Sequence, residues 1–313
     1  MEIVEVSKKE FKNVIFNPFH AYGMADFNDL NKQKCRSVHY FLFRESKFRL
    51  GIVGGIVDDV FLSSFSAPFG GFLFIKDSVG IEFFNEAIDL LVEWSKSQNI
   101  KSIKLTLPPP IYHESFITKQ INSLYRKNFQ IKSIDMNYVF FTDKFRNGYM
   151  ESLDQKSRNS LKSAIKQEFI FHKCENLEEK RLAYEIIEEH KKFKKYPIKM
   201  TWDQVADTIQ LIDADFFLLY LDDKTPIASA MVYHVSESVV QIIYWGDDRN
   251  YANLRVMNYL AYKLFEYYAN THTVIDLGPS SVNSNPNIGL CRFKEKIGCD
   301  ITTKMYLEYE IRQ

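Results

Sequence analysis

Three stretches of this chain hold residues whose types and spacing suit ligand binding, the first two of them a phosphate. The first is "SRNSLKSAIKQ", where Arg158, Lys162 and Lys166 fall four residues apart along one helical face. Leu161, Ala164 and Ile165 then turn toward a core, and Asp154 or Ser157 stands where a cap is needed. A planar Arg158 guanidinium can hold a phosphate through two N–H groups at once, although spacing alone equally describes a solvated basic stripe. The second stretch is "VVQIIYWGDDRNYANLRVMN", a strand ending in Tyr244-Trp245-Gly246-Asp247 with Arg249 and Asn250 opening a long helix. Helix-N-terminal amides beside a strand end suit a pyrophosphate, and Gly246 permits a splayed strand with an exposed N–H. The plainer alternative is a strand, a turn and an aromatic core pair.

The third stretch is "VIDLGPSSVNSNPNIGLCRFKEKIGC", residues 274–299. Gly278-Pro279 stops a strand, and Asp276, Ser280, Ser281, Asn283 and Asn285 gather at its carboxyl end. Asn285-Pro286 reads as N-cap and first helical position, Leu290, Phe293 and Ile297 as a packing stripe, and Gly298 as the helix stop. Lys294 lies beside that stripe, where a lysine stem can also simply cover apolar surface. Polar loops on a rigid sheet are common binding sites and still more commonly solvated.

Several familiar chemistries have no sequence support. The chain contains no GxxxxGK[ST], no GxGxxG before a helix and no HExxH or paired-His spacing, which argues against a nucleotide loop of those kinds and against a metal. "GPSSV" misses the nucleophile elbow because Val282 stands at its second glycine. The 313 residues carry 40 basic and 40 acidic side chains, so any polyanion must be met by a local patch. With 46% apolar and 15% aromatic residues, two ordinary cores are within reach. Cys35, Cys174, Cys291 and Cys299 form no CxxC pair. No stretch approaches the roughly 18 apolar residues of a membrane span. "MEIVEVSKKEFKNVIF" carries early acids rather than a secretory core, so the expected setting is reduced and cytoplasmic.

Hydrophobic periodicity supplies the elements that must position these residues. "VHYFLFRE", "FRLGIVGGIV" and "VFLSSFSAPFGGF" read as antiparallel strands. They are followed by a helix over "VGIEFFNEAIDLLVEWSKSQN", a strand at "IKSIKLTL", a helix at "ESFITKQINSLYRKN" and a strand at "FQIKSIDMNYVFFTD". After the polar connection "KFRNGYMESLDQ" the plan restarts as helix, strand and a helix stopped before Pro197. A helix capped by Thr201 and three strands come next, and then the 254–268 helix, the strand "TVIDLG", a helix and the closing strand "ITTKMYLEYEIR". The first half is a shorter version of the second in element order, without a sequence repeat.

Taken together, "SRNSLKSAIKQ", "VVQIIYWGDD" and "VIDLG" with "GLCRFKEKIG" resemble the acyl-CoA N-acyltransferase (GNAT) fold, and more closely its FemAB-like branch. They match that branch's helix opening the second domain, its fourth strand, and its FK-x-x-x-G helix near the C-terminus. The resemblance covers about residues 150–300 in detail and the first half in outline. It implies an α/β (α+β) chain of two tandem GNAT-like domains, 1–146 and 147–313, each a mixed, mostly antiparallel sheet flanked by helices. The implied activity is acyl transfer from an acyl-CoA donor to a small-molecule or peptide amine, without a metal. Two other readings are an aminoacyl-tRNA-dependent transferase, with "HKKFKKYPIK" (190–199) holding a phosphate backbone, and a GNAT-fold binding protein without activity.

The resemblance also implies roles. Backbone N–H groups near Tyr244–Gly246 would meet the oxyanion, with Asp247 and Asp276 as base or amine-orienting groups and Tyr244 or Ser280 as acid. Arg158, Lys162, Trp245, Gly246, Arg249, Asn250 and Lys294 would hold the donor. Arg249–Leu254 departs from the family's [RQ]-x-x-G-x-[GA] loop at Ala252 and Leu254, whose side chains crowd a pyrophosphate. The inserted helical arm of many tRNA-dependent members has no counterpart in this sequence.

Overall fold

A computed structural model of the chain describes residues 1–76, 78–196 and 198–311. The chain forms two compact units, the first of Met1–Met136, Ser281–Asn285 and Thr302–Gln313, the second of Asn137–Ser280 and Pro286–Ile301. Pro197 and Arg312, read above as a helix stop and a strand end, lie outside the described residues.

The first half of the chain runs β1 (Glu2–Glu5), α1 (Lys8–Val14), α2 (Ala25–Leu30), β2 (Ser37–Arg44), β3 (Phe48–Val57), β4 (Val60–Ser63), β5 (Phe72–Phe74), α3 (Ile81–Ser97), β6 (Ser102–Thr106), α4 (Glu114–Arg126) and β7 (Gln130–Phe141). Next come α5 (Asp143–Arg146), α6 (Tyr149–Ser152), α7 (Gln155–Ile165), β8 (Ile170–Lys173), α8 (Leu177–Phe193), α9 (Trp202–Thr208), β9 (Ala214–Tyr220), β10 (Pro226–His234) and β11 (Val239–Asp247). The chain closes with α10 (Val256–Tyr268), β12 (Val274–Pro279), β13 (Ser281–Val282), β14 (Asn285–Pro286), α11 (Ile288–Lys296) and β15 (Asp300–Glu310).

The helices start where short polar side chains can accept backbone N–H groups. Ser7 and Glu10 form a reciprocal capping box at α1, and Thr201 and Gln204 form another at α9. Asp154 rather than Ser157 caps α7, accepting from Lys156 N and Ser157 N. β1, α1 and α2 are additions to the sequence reading, as are α5 and α6 inside the polar connection. The run "VFLSSFSAPFGGF" is divided between β4 and β5 rather than continuous.

In the first unit β1, β2, β3 and β4 pair antiparallel in that order, and β5 takes a further stretch of β3. α3 then crosses over so that β6 runs parallel to β4. The far edge of β6 is taken by β15, from the end of the chain. Phe41, Leu50, Phe61, Phe72, Phe84, Leu91 and Phe116 fill the core. The second unit repeats the order: β8, β9, β10 and β11 antiparallel, α10 as crossover, β12 parallel to β11, and the end of β7 on the far edge. Phe216, Leu218, Ala230, Val232, Leu260 and Phe265 are buried there, with Phe265 stacked 3.8 Å from Phe140. Among the described residues no helix is long and apolar enough to cross a membrane.

The helix expected from Asn285-Pro286 begins later. Asn283 and Ser284 take positive φ, turning β13 onto β14, so Asn285 and Pro286 are strand residues. The cap passes to Asn287, whose Oδ1 accepts Leu290 N at 3.1 Å. Gly298, at φ +84°, ends α11 as expected.

A buried polar cluster ties β8, β9, β10 and α10 together. Asp215 receives His234 Nε2 at 2.8 Å, Lys173 Nζ at 2.7 Å and the Tyr268 hydroxyl at 2.7 Å. Burial alone would raise the Asp215 pKa, but these three donors outweigh it and hold the carboxyl far below the usual range. A depressed carboxylate stabilises the fold at pH values above its unfolded pKa of about 4, and that contribution is lost as pH falls further. Asp215→Asn should therefore cost about 2 kcal/mol at neutral pH. In urea unfolding followed by circular dichroism, the gap to wild type should narrow as pH is lowered from 7 toward 3.

Candidate functional site

β11 and β12 are paired over only three residues each: Val239 with Val274, Val240 with Ile275, and Gln241 with Asp276. Both strands then continue, to Asp247 and Pro279, without pairing each other further. Each is irregular on its other edge just past that point. Against β10 the register shifts from Val232–Ile242 to Met231–Tyr244, leaving Ile243 as an extra residue, and against β7 a similar shift leaves Leu277 extra. A bulge on each strand increases local twist and re-aims the main chain. The result is an open parallel ladder flanked by Ile242–Gly246 on one side and Leu277–Gly278 on the other.

Asp276 fixes the point where the ladder opens. It has no exposed surface, and its Oδ1 accepts Asn137 Nδ2 at 2.7 Å and Gly278 N at 2.8 Å, while Oδ2 accepts Gln241 Nε2 at 2.7 Å. The carboxylate thus ties the last paired residue of β11 and the end of β7 to the turn at Gly278, whose φ of +72° suits only glycine well.

Lys294 approaches the same turn from α11. The residue is 2% exposed, and its Nζ donates to the carbonyl oxygens of Leu277 and Gly278, both at 2.8 Å, over the Tyr138 ring. Burial lowers its pKa to about 8, and nearby groups, the Asp276 carboxylate among them, only partly oppose that. Cys291 and Ser280 flank it: Cys291 Sγ lies 3.7 Å from the Ser280 carbonyl oxygen, and the Ser280 hydroxyl is buried with no hydrogen-bond partner among the described residues.

On the β11 side the structure adds two residues to the candidates, His190 and Lys191 of α8. Gly246 is the point of closest approach: a Cβ there would lie 2.7 Å from His190 Cβ. Its lack of a side chain therefore seats α8 on β11. His190 Nδ1 sits 2.9 Å from Asp247 Oδ1 and 3.0 Å from the Asp247 carbonyl oxygen, so the carboxylate faces an imidazole. Lys191 lies over the Tyr244 ring, and among the described residues no carboxylate pairs with it; burial lowers its pKa. Burial likewise raises the Tyr244 pKa, opposed by a hydrogen bond with the Lys199 backbone. Trp245 packs edge-on against Phe293, 5.8 Å between centroids. In the sequence both belong to the basic run "HKKFKKYPIK" (190–199), and helical spacing alone does not say that its histidine meets a glycine.

The remaining candidates lie in other roles. Arg158 spends its guanidinium on the carbonyl oxygens of Met150 and Leu153, both at 3.0 Å, which ties α7 to α6. Lys162 and Lys166 are exposed. Arg249–Leu254 is a 3-10 turn in which Asp248 Oδ1 accepts Asn250 N at 3.0 Å, and the Arg249 guanidinium stacks 3.5 Å over the Phe193 ring. α10 then starts after Arg255, a left-handed residue with φ 62°. An amide already used and a carboxylate at its mouth make this turn a poor pyrophosphate cradle. Among the described residues no group of His, Cys, Asp or Glu side chains is arranged to hold a metal.

No protein-family model matches the chain, and no curated protein matches it in sequence. Solved structures do match in shape. The crystal structure of FemX superposes with a TM-score of 0.71 at 13% identity, covering 99% of this chain and 97% of that one. L-PGS from Bacillus licheniformis gives 0.61 at 12%, over 99% and 93%. A tandem GNAT protein from the clavulanic acid biosynthesis pathway gives 0.53 at 8%, over 100% and 99%. The fold is GNAT-like, in the FemAB-like tandem form.

Asp276 accepts from three neutral donors, Asn137 Nδ2, Gln241 Nε2 and Gly278 N. Asp276→Ala removes the acceptor of all three buried bonds and should cost about 3 kcal/mol in denaturant unfolding. Asp247→Ala, which leaves only the His190 imidazole, should cost clearly less.

Proposed function

We propose that this chain transfers an acyl group from an activated ester or thioester to an amine, at the open ladder between β11 and β12. One observation carries the reading: a buried lysine amine, Lys294, is held at the end of β12, past the point where β12 stops pairing with β11. Attack by an amine turns the acyl carbonyl into an oxyanion. Backbone N–H groups near Tyr244–Gly246 and the Lys294 ammonium supply positive charge to it in a site with little water. The attacking amine must lose a proton, and His190, its Nδ1 turned to Asp247, is the base we assign; Asp276, already filled by three donors, holds the frame. Tyr244 is the group we assign to protonate the leaving oxygen or sulfur. The two tandem GNAT-like domains expected at 1–146 and 147–313 remain part of this proposal. So do a peptide or small-molecule amine as acceptor and a cytoplasmic setting.

A second reading concerns the donor. The turn at Arg249–Leu254, with Asp248 at its mouth, is ill suited to the pyrophosphate of an acyl-CoA. Exposed Lys192, Lys194, Lys195 and Lys199 instead offer a basic surface next to Lys191. Both features favour an aminoacyl ester of tRNA over a coenzyme A thioester as the donor. The fold shared with FemX and L-PGS is consistent with either.

The test is a transfer assay with labelled aminoacyl-tRNA and with acyl-CoA against a panel of amines, together with binding at several salt concentrations. Aminoacyl-tRNA binding should weaken steeply with salt. Turnover with acyl-CoA alone would overturn the donor assignment, and neither turnover nor binding would leave a GNAT-fold binding protein. If the ammonium form of Lys294 acts, the rate should fall as pH rises through about 8. Lys294→Met should lose on the order of a hundredfold in kcat and the alkaline limb with it.

A further inference from the structure

The carbonyl oxygens that hold Lys294 are themselves held by one residue of β7. Gly278 pairs with Tyr138, and the bulged Leu277 lies between that pair and the pair of Asp276 with Val139. Tyr138 has no exposed surface, and its hydroxyl donates at 2.9 Å to Oε1 of Glu295, the residue after Lys294 in α11. Its ring centroid lies 5.3 Å from Lys294 Nζ, inside the reach of a cation–π contact. Tyr138 therefore meets the lysine in three ways. It pairs with the strand that supplies the acceptors, it ties down the helix that carries the amine, and its ring faces the charge. Two of the three N–H groups of Lys294 go to Leu277 and Gly278, and among the described residues the third has no hydrogen-bond partner.

We propose that Tyr138 is a positioning residue for the acyl transfer, its ring keeping the Lys294 amine charged while one N–H stays free for the substrate. The inference rests on the acyl-transfer reading and gives its buried cation a partner. A carboxylate at the same place would also stabilise the ammonium, but it would take the remaining N–H and cancel the charge. The electron-rich face of a ring stabilises the cation and does neither. Loss of water from around the amine strengthens that attraction. Other groups act on the same amine. Asp276 of β12 favours the ammonium and Lys191 of α8 opposes it, while Cys291 in α11 and Cys299 just past it favour it when ionised. Burial pushes the Cys299 thiol up, which keeps it neutral. Glu295 is exposed and turned to the Tyr138 hydroxyl.

The experiment is a direct titration of Lys294 in the full chain by nuclear magnetic resonance, with carbon-13 at lysine Cε and the signal assigned by Lys294→Met. Tyr138→Leu, which removes the ring, should lower the Lys294 pKa by about one pH unit. Tyr138→Phe, which keeps the ring and loses the Glu295 bond, should leave it in place. Should the leucine variant not fold, pentafluorophenylalanine at position 138 keeps the shape but draws electrons from the ring face. Against Tyr138→Phe it should lower the pKa as the leucine does. In a transfer assay the alkaline limb should move with the titration in each variant. An unchanged or raised pKa on loss of the ring face, or an equal fall with Tyr138→Phe, would overturn the proposal. So would a titration that moves while the alkaline limb stays. The titration needs no turnover, so a chain without transferase activity defeats the acyl-transfer reading alone, and the effect of the ring on Lys294 is still decided.

Discussion

A parallel pair that stops after three residues is the constraint on which the second unit depends. Parallel strands need a long crossover, supplied by α10, and a ladder held along its whole length would leave no main-chain donor free for chemistry. Asp276 makes the opening a fixed feature rather than a frayed end. Its three hydrogen bonds come from β7, from β11 and from the turn that follows β12, so the residues on either side of the gap are held by one carboxylate. Burying that charge is tolerable because well-placed neutral donors meet it. A group so engaged is suited to holding geometry.

Electrostatics in this region are one-sided. Lys191 and Lys294 are both buried enough to lose affinity for their protons, and each is held by rings or carbonyl oxygens rather than by a carboxylate. The acids close by are taken: Asp247 by His190, Asp248 by the following turn, Asp276 by its donors. Among the described residues neither lysine forms an ion pair, and although the Asp276 charge partly offsets burial at Lys294, the local surplus of positive charge favours an anion over a cation.

The sequence was most legible where a single periodicity decided the element. Alternating and aromatic runs marked β2 to β12 and β15, and the stripe through Leu260, Ala261, Leu264 and Tyr268 marked α10. The cap residues Thr201 and Gly298 stood in plain sight. Reading failed where local signals competed. Asn285-Pro286 has the chemistry of a helix start, but Asn283 and Ser284 tolerate positive φ and turn the chain into a hairpin first. The capping box of Ser7 and Glu10 was present in the sequence, yet a seven-residue helix carries too few periodic positions to stand out. The strand exchange, in which β7 completes the second unit and β15 the first, leaves no mark on local sequence at all.

The site shows the same division for a deeper reason. Asp276, Ser280, Gly246 and Lys294 could be singled out because strand ends and glycines are visible locally, but what each does is set by long-range contacts. Arg158 has the best chemistry for an anion in the whole α7 face, and it is spent on the carbonyls that end α6, because those oxygens are bound to be met by something when the chain folds back. Arg249 is drawn onto the Phe193 face for a similar reason. Lys294 lies on a stripe that looks like ordinary packing, and it differs from a lysine covering apolar surface in one respect. Its amine turns inward to two carbonyl oxygens rather than outward to water. An inward lysine is costly to bury as a cation, and a fold keeps one where a charge is wanted at a fixed place.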